Sequence, residues 1–468
     1  MCLRKTISAG LVLNLMTDLL AARSQMAMSL MFHIIFAVAG MAMPLMMAIA
    51  EWLWLRSRDD AYLALAKQWA NGTAILFAVG AVSGTVLSFE LGLLWPKFMQ
   101  FSGAIIGMPF SLEGFAFFTE AIFLGVYLYG WERVSPRVHL FAGIVVAASG
   151  LLSGIFVVIT NSWMNVPTGF QMENGVVVRV DPIAALLNPA ALGQTMHMAI
   201  AAYASVGFAV AGIHAYLLLR RPGNVFHQHA LKIALWVGGV AAVIQPFSGD
   251  MLARVVAKYQ PAKLAAFEGQ FKTETHAPLR IGGIPSEREK ITRYALEIPS
   301  GLSLMAHGSA SALVIGLDRY PEKDWPAVPV VHLSFQVMVG CGFGMMAVAI
   351  AALWFGRKAG GLEAHRWLLK ILVAAGPMGF LALEAGWIVT EVGRQPWIVY
   401  NVLRTSDALT PMPGLIVPFV SFTALYCFVA IVVAFLLVRQ MRQSPYLTRE
   451  ASMRSPESEK TLRGPREN

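Results

Sequence analysis

The chain has 468 residues, 57% of them hydrophobic and only 13% charged, against about 25% charged in an ordinary soluble domain. A water-facing fold cannot hide that much apolar surface, and three scattered cysteines (Cys2, Cys341 and Cys427) exclude a disulfide scaffold and a zinc ribbon. A net charge of +9 leaves nucleic acid open only until the basic residues are placed. The composition is that of a polytopic membrane protein.

Residues 1–22 read as an N-terminal extension. Arg4 and Lys5 before an apolar stretch resemble a weak signal peptide, but initiation at Met16 is the simpler account. Runs of roughly 20 mostly apolar residues, long enough to cross a bilayer, then fall at 26–50, 69–95, 109–131, 139–160, 189–219, 232–249, 330–356, 368–392 and 414–438. Trp52, Trp69, Trp95, Trp131 and Trp354 sit near segment ends, as an interfacial belt requires. The organisation expected is six spans within 23–249, an extramembranous loop over 250–329, three spans within 330–439 and a tail from 440 to 468. Within the loop, Gly301–Leu317 reads as an interfacial or packed helix interrupted by His307.

Basic residues in short loops orient the chain. The loops after the first, third, fifth and seventh segments carry Arg56, Arg58, Lys67, Arg133, Arg137, Arg220, Arg221, Lys232, Arg357, Lys358, Arg366 and Lys370; the alternate short loops carry only Lys97, Arg179, Arg394 and Arg404. The first set therefore faces the cytoplasm, with the N-terminus outside and the tail (Arg439, Arg442, Arg449, Arg454) inside. The positive charge is a topology signal, and nucleic-acid binding loses its motive.

Ionisable groups inside a bilayer are costly and mark function. Those found are His33, Glu113, Glu120, His197, His214, Glu384 and Glu391, with Arg394 at a segment end. By depth, His33, His197, Glu113 and Glu391 share the outer half of the membrane, with Glu113 about one turn into its segment. Glu113 and Glu120, like Glu384 and Glu391, are seven apart on one helix face and about 10 Å along it, the spacing of proton stations. His214 reaches an interface, and His139, His227, His229 and His365 read as boundary or loop residues. Most of the 24 methionines are packing. Met338 lies level with His197, and such a pair on two helices is a possible axial set for a low-spin haem.

Segment eight contains Glu384-Ala-Gly-Trp387 and then Glu391-Val-Gly393-Arg394-Gln395-Pro396-Trp397. With Arg23 before Met31-Phe-His33, Leu112-Glu113-Gly114 before Phe117-Phe118-Thr119-Glu120, Asn161-Ser-Trp163-Met164-Asn165, Lys263-Leu-Ala-Ala-Phe-Glu268 and Met338-Val-Gly-Cys341-Gly342, this closely resembles subunit I of cytochrome bd-type quinol oxidases over about residues 16–440. The short outer loop resembles the branch that includes cyanide-insensitive oxidases. The resemblance implies an all-α fold of nine transmembrane helices, two four-helix bundles plus a peripheral ninth helix. It implies three haems: a low-spin b, a high-spin b and a haem d, or haem b in its place. His197 and Met338 would ligate the low-spin haem, and His33 and Glu391 the other two irons in an order the resemblance does not fix. Arg23, Trp387 and Arg394 would contact haem. Glu113 would stand by the O2-reducing centre and Glu120 on the proton route. Lys263 and Glu268 would meet quinol on the outer loop. The implied partners are membrane quinol, O2, a second large subunit and a very small single-helix one, all in a bacterial inner membrane. Protons taken from the cytoplasm and released outside would build a proton-motive force without a pump.

One departure is Gln336, where many relatives carry arginine, which puts any haem or quinol role there in doubt. Two other readings fit part of the pattern. A proton-coupled secondary transporter explains the carboxylates but calls for inverted repeats and broken helices; a non-catalytic b-type cytochrome explains His197 and Met338 but leaves the remaining ligand candidates idle.

Overall fold

The computed structural model describes residues 17–174 and 176–442; the expectations for the signal-like segment, Met16 and most of the tail lie outside them. Among the described residues, nine helices are long and apolar enough to cross a membrane: α1 (Asp18–Ser57), α2 (Asp60–Leu94), α3 (Pro96–Tyr129), α4 (Pro136–Asn165), α5 (Ala191–Arg220), α6 (Val225–Tyr259), α7 (Val328–Gly356), α8 (Arg366–Val392) and α9 (Ile416–Arg442). The spans sit where the apolar runs place them, but several reach further.

Local chemistry explains the longer ends. Thr17 Oγ1 accepts from Leu20 N and Asp18 lies in the first turn, so α1 starts well before its apolar run. Asp59 caps α2 at Ala61 N. Pro96 opens α3, as a residue without an N–H can. Glu113 is consequently far inside its helix rather than one turn from its start. Asn224 caps α6, which continues to Tyr259. α8 is two pieces, Arg366–Ala375 and Met378–Val392, parted at Gly376-Pro377, where proline cannot donate to the ladder.

Helices α1 to α4 pack on one another, α5 to α8 do likewise, and α9 rests on α1 and α2. In α1, 61% of the most apolar stretch is buried, against 11% in α2 and in α9; α1 is therefore interior, and α2 and α9 turn apolar faces outward. Small residues set the closest approaches, as expected where lipid supplies no hydrophobic drive for helix association. A Cβ on Gly238 of α6 would stand 2.8 Å from Gly207 Cα of α5, and one on Gly212 would stand 3.0 Å from Gly376 Cα of α8.

Between α6 and α7 the chain forms a packed cap. The helix Pro261–Glu268 leads into three short antiparallel pairings: Glu274–Thr275 with Leu313–Val314, Leu279–Ile281 with Leu296–Ile298, and Ile284–Ser286 with Ile291–Arg293. Leu264, Phe267, Phe271, Leu302, Val314 and Leu317 bury into one cluster with Val331 of α7 and Val389 of α8. The helix expected over Gly301–Leu317 is short. It ends at His307 because Gly308 takes a left-handed φ of 74°, and His307 is exposed.

Replacing Gly207 by leucine is expected to force α5 and α6 apart, at a cost of about 1–3 kcal/mol or more. A lower melting midpoint of the detergent-solubilised protein checks this, with an exposed-site control such as Gly92→Leu unchanged.

Candidate functional site

Two histidines are held in one tautomer by the same device. His33 Nδ1 on α1 lies 3.0 Å from Ser83 Oγ on α2, and that hydroxyl donates its own hydrogen to Val79 O at 2.8 Å. The serine can then only accept, so Nδ1 carries the proton and the Nε2 lone pair is free. His197 Nδ1 on α5 lies 3.0 Å from Ser248 Oγ on α6, which donates to Gln245 O at 2.8 Å. The Gln245 amide nitrogen is 3.2 Å from both ring nitrogens of His197 and so lies along neither lone pair. In each case the residue after the serine is glycine. A Cβ on Gly84 would stand 2.9 Å from His33 Cε1, and one on Gly249 would stand 3.5 Å from His197 Cε1.

Met338 of α7 reaches α8 at a third glycine, where a Cβ on Gly386 would lie 3.0 Å from its sulfur. Trp387 follows and packs on the main core cluster. Glu384, a turn earlier, buries both carboxylate oxygens without a hydrogen-bond partner among the described residues.

A continuous polar network joins the cap to the end of α8. Lys263 Nζ donates to Asn165 Oδ1, Asn165 Nδ2 donates to Asn161 Oδ1 at 3.0 Å, and Asn161 Nδ2 donates to Glu391. The other Glu391 oxygen accepts from Arg394 Nη2 at 2.5 Å. Arg394 is 2% exposed, and its Nε and Nη1 are buried without partners among the described residues. A buried guanidinium with two open donors is suited to a further anionic oxygen. Arg23 stands nearby, lining a cavity of about 460 Å³ with Glu287, Glu322, Trp325, Val392 and Gln395.

Lys263 and Glu268 are both buried, at 3% and 4% exposure, but they do not converge. Five residues apart on one short helix, they turn different ways. Lys263 joins the Glu391 network, where burial and the Arg394 charge hold its amine well below the usual lysine range against the pull of Glu391. Glu268 lies within electrostatic reach of Arg280 in the cap. Gln336 pins the cap strands to α7, its Oε1 accepting from Gly282 N at 2.9 Å and its Nε2 donating to Arg280 O at 3.2 Å. His332, one turn before it, adds contacts to Phe267 O and Gly282 O at 2.8 and 3.0 Å.

On α3, Glu113 lies 3.4 Å from Ser153 Oγ of α4. Glu120 is 4% exposed with Oε1 unpartnered among the described residues, and a Cβ on Gly150 would lie 3.1 Å from it. Four buried groups have larger roles than their places in the sequence suggest. Glu90 of α2 accepts from Gln25 and Ser29 of α1, both at 2.9 Å. His139 pairs with Glu51. His214 does not reach an interface; it and His227 are buried with their Nδ1 atoms 3.1 Å apart. Asn161 and Asn165 appear in the sequence only as a motif, although they bridge Lys263 to Glu391. Carboxylates and histidines adjoining a segment end are the signal that finds Glu51, Glu90, His139 and His227.

Imidazole nitrogens, a thioether and buried carboxylates in a helical membrane bundle are the donor types that haem-carrying membrane redox proteins use. The chain belongs to the cytochrome bd terminal oxidase subunit I family, whose model matches residues 21–445. It is 35% identical over 434 residues to a Bacillus subtilis protein provisionally named cytochrome bd menaquinol oxidase subunit I, covering 92% of this chain and 98% of that one. It is 32% identical to the cytochrome bd ubiquinol oxidase subunit 1 of the same organism, covering 92% and 94%. The solved bd oxidase from Geobacillus thermodenitrificans matches with a TM-score of 0.86 at 39% identity, over 92% of this chain and 99% of that one. With nine apolar helices, this makes the chain a multi-pass protein of the bacterial inner membrane. The donor set fits haem: with Nδ1 against a serine, Nε2 is the nitrogen left to a metal at both histidines, glycines leave room beside His33, His197 and Met338, and Arg394 has unpaired donors among the described residues.

Burial pushes the Glu268 carboxyl up to about 8, with Arg280 pulling back. A folded value above the unfolded one means that the neutral acid stabilises the cap fully at low pH, and that this contribution is lost as pH rises through about 8. Amide hydrogen exchange over 261–270, corrected for intrinsic base catalysis, is expected to accelerate from about pH 5 to about pH 8 and to level off above it. Glu268→Gln should abolish that step.

Proposed function

We propose that this chain is the haem-bearing subunit of a quinol:O2 oxidoreductase that oxidises membrane quinol on its outer face and reduces O2 to water. The observation that carries the reading is the network from Lys263 through Asn165 and Asn161 to Glu391 and Arg394. It ties a loop residue suited to a quinol oxygen to a carboxylate suited to iron. Haem, when bound, supplies one-electron redox chemistry and the iron at which O2 reacts.

The chain's residues then divide the work. His197 and Met338 hold a low-spin haem b; His33 and Glu391 hold the high-spin haem b and the haem d, or a haem b in its place. Ser83 and Ser248 fix the imidazole tautomers so that Nε2 faces the metal. Arg394 balances the charge of Glu391 and offers two further donors to an acidic haem substituent, with Arg23 and Trp387 beside it. Glu268, neutral when buried, becomes a base for quinol protons when it ionises, and passes them outside. Lys263 orients quinol through its amine. Glu120 and Glu113 deliver protons from the cytoplasmic side, so chemistry of opposite sidedness charges the membrane without a pump. A second large subunit covers apolar faces left outward, with a very small single-helix subunit completing the complex.

A reduced-minus-oxidised spectrum of the purified complex together with quinol-driven O2 uptake tests the reading. Absence of haem bands sinks it, and bands without O2 uptake leave an electron carrier instead. His197→Ala is expected to remove the low-spin b signal while protein level persists; an unchanged spectrum refutes that ligand. Glu268→Gln should slow quinol turnover by about a hundredfold and oxidation of an artificial donor far less. Equal losses would place Glu268 elsewhere in the mechanism.

A further inference from the structure

At the end of α1 that carries the basic loops, Glu51 and His139 of α4 form an ion pair at 2.8 Å, with side chains 0% and 2% exposed. The second ring nitrogen of His139 lies 2.9 Å from Tyr127 O of α3. A carbonyl only accepts, so Nε2 carries a hydrogen. One further proton must then lie between Nδ1 and Glu51 Oε1. It belongs to imidazolium facing carboxylate, or to neutral imidazole facing carboxylic acid, and the hydrogen bonds are the same in both. Removing it sets two lone pairs against each other in a buried site. The pair therefore holds one proton that either partner can carry, besides clamping two helices together.

Its position connects it to the carboxylates of α3. Glu113, Glu120 and Tyr127 are successively seven residues apart, one face of α3 in steps of about 10 Å. Helix α4 backs that face with small residues. A Cβ on Gly143 would stand 2.7 Å from the Tyr127 ring, one on Gly150 would stand 3.1 Å from Glu120, and Ser153 reaches Glu113. The Tyr127 hydroxyl donates to Met47 O at 3.5 Å and lies within electrostatic reach of the Glu51 carboxylate, whose Oε2 is buried without a hydrogen-bond partner among the described residues. On the other side, Trp131 lies against His139 with centroids 3.9 Å apart, and Lys67 lies over Trp131.

We propose that Glu51 and His139 are the proton-loading pair at the cytoplasmic mouth of the file Tyr127–Glu120–Glu113. This rests on the oxidase reading given above. In one cycle the Nδ1–H bond breaks as an O–H bond forms on Glu51. The carboxyl turns so that Oε1 takes the place of Oε2, the Oε1–H bond breaks as the proton passes toward Tyr127 and Glu120, and His139 Nδ1 regains a proton from the cytoplasmic loop. Charge and protons balance, and no oxidant is involved. The two turns between Tyr127 and Glu120 exceed one hydrogen bond, so transfer there requires bridging water.

The experiment uses the intact complex in proteoliposomes, wild type against Glu51→Gln and Glu51→Asp. It reads quinol-driven O2 consumption, proton uptake from the cytoplasmic face and the solvent deuterium isotope effect. Glu51→Gln, with an unchanged haem spectrum and quinol KM, is expected to lower turnover and uptake together by about a hundredfold and to raise the isotope effect. Glu51→Asp keeps the acid on a shorter arm, so it should recover part of both while its isotope effect stays above the wild-type value. If Glu51→Gln does not assemble, Glu51→Asp decides: a raised isotope effect supports the loading pair, and a wild-type value overturns it. A wild-type complex that consumes no O2 with quinol overturns the functional reading and this inference with it. An active wild type matched in turnover and isotope effect by Glu51→Gln overturns this inference alone.

Discussion

The Glu391 carboxylate accepts from Asn161 on one oxygen and from Arg394 on the other, and much of the fold serves to make that possible. The Arg394 guanidinium is buried, and a buried charge persists only where an opposite charge faces it, which the half-buried Glu391 carboxylate supplies. Here the donors come from the end of α4, the end of α8 and, through Asn165, the cap helix Pro261–Glu268. Three elements separated widely in sequence must meet at one carboxylate. The packing of Val389 into the cap's apolar cluster and the anchoring of the cap to α7 by Gln336 and His332 keep them there.

A division of labour follows between the two sets of four helices. In the first, α1 is interior and its partners α2 and α3 turn large apolar faces outward, including Phe89, Phe115, Phe118 and Ile122. Carboxylates in this set are aligned along helices and separated by turns, an arrangement suited to moving protons. In the second set, glycine contacts at Gly207, Gly238 and Gly379 bring backbones together. Close approach there secures fixed ligand geometry, and in the first set glycines of α4 make room for Tyr127 and Glu120 along its length.

The nine spans were legible because lipid demands long apolar runs, and His33, His197, Glu113, Glu120 and Glu391 stood out because charge inside such runs is expensive. Helix ends were less legible. Hydropathy marks where a helix meets water, while hydrogen bonding and caps such as Thr17 and Asp59 decide where it stops. That difference explains why His139, at the first position of an apolar run, passed for a boundary residue although it is buried against Glu51. Neutral polar residues were the other blind spot. Asn161 and Asn165 carry no charge to mark them, and their bridging role exists only once α4, α8 and the cap are assembled. The separation of Lys263 from Glu268 was likewise invisible in a motif that holds them five residues apart.

At both His33 and His197 the serine hydroxyl has spent its hydrogen on its own helix, so the imidazole has no choice of tautomer. Metal capture by a histidine commonly competes with a proton for the same nitrogen. In this chain the choice of nitrogen is settled before any metal arrives, since a neutral ring already presents its lone pair at Nε2. Neither ring then has to move a proton from one nitrogen to the other as its pocket fills.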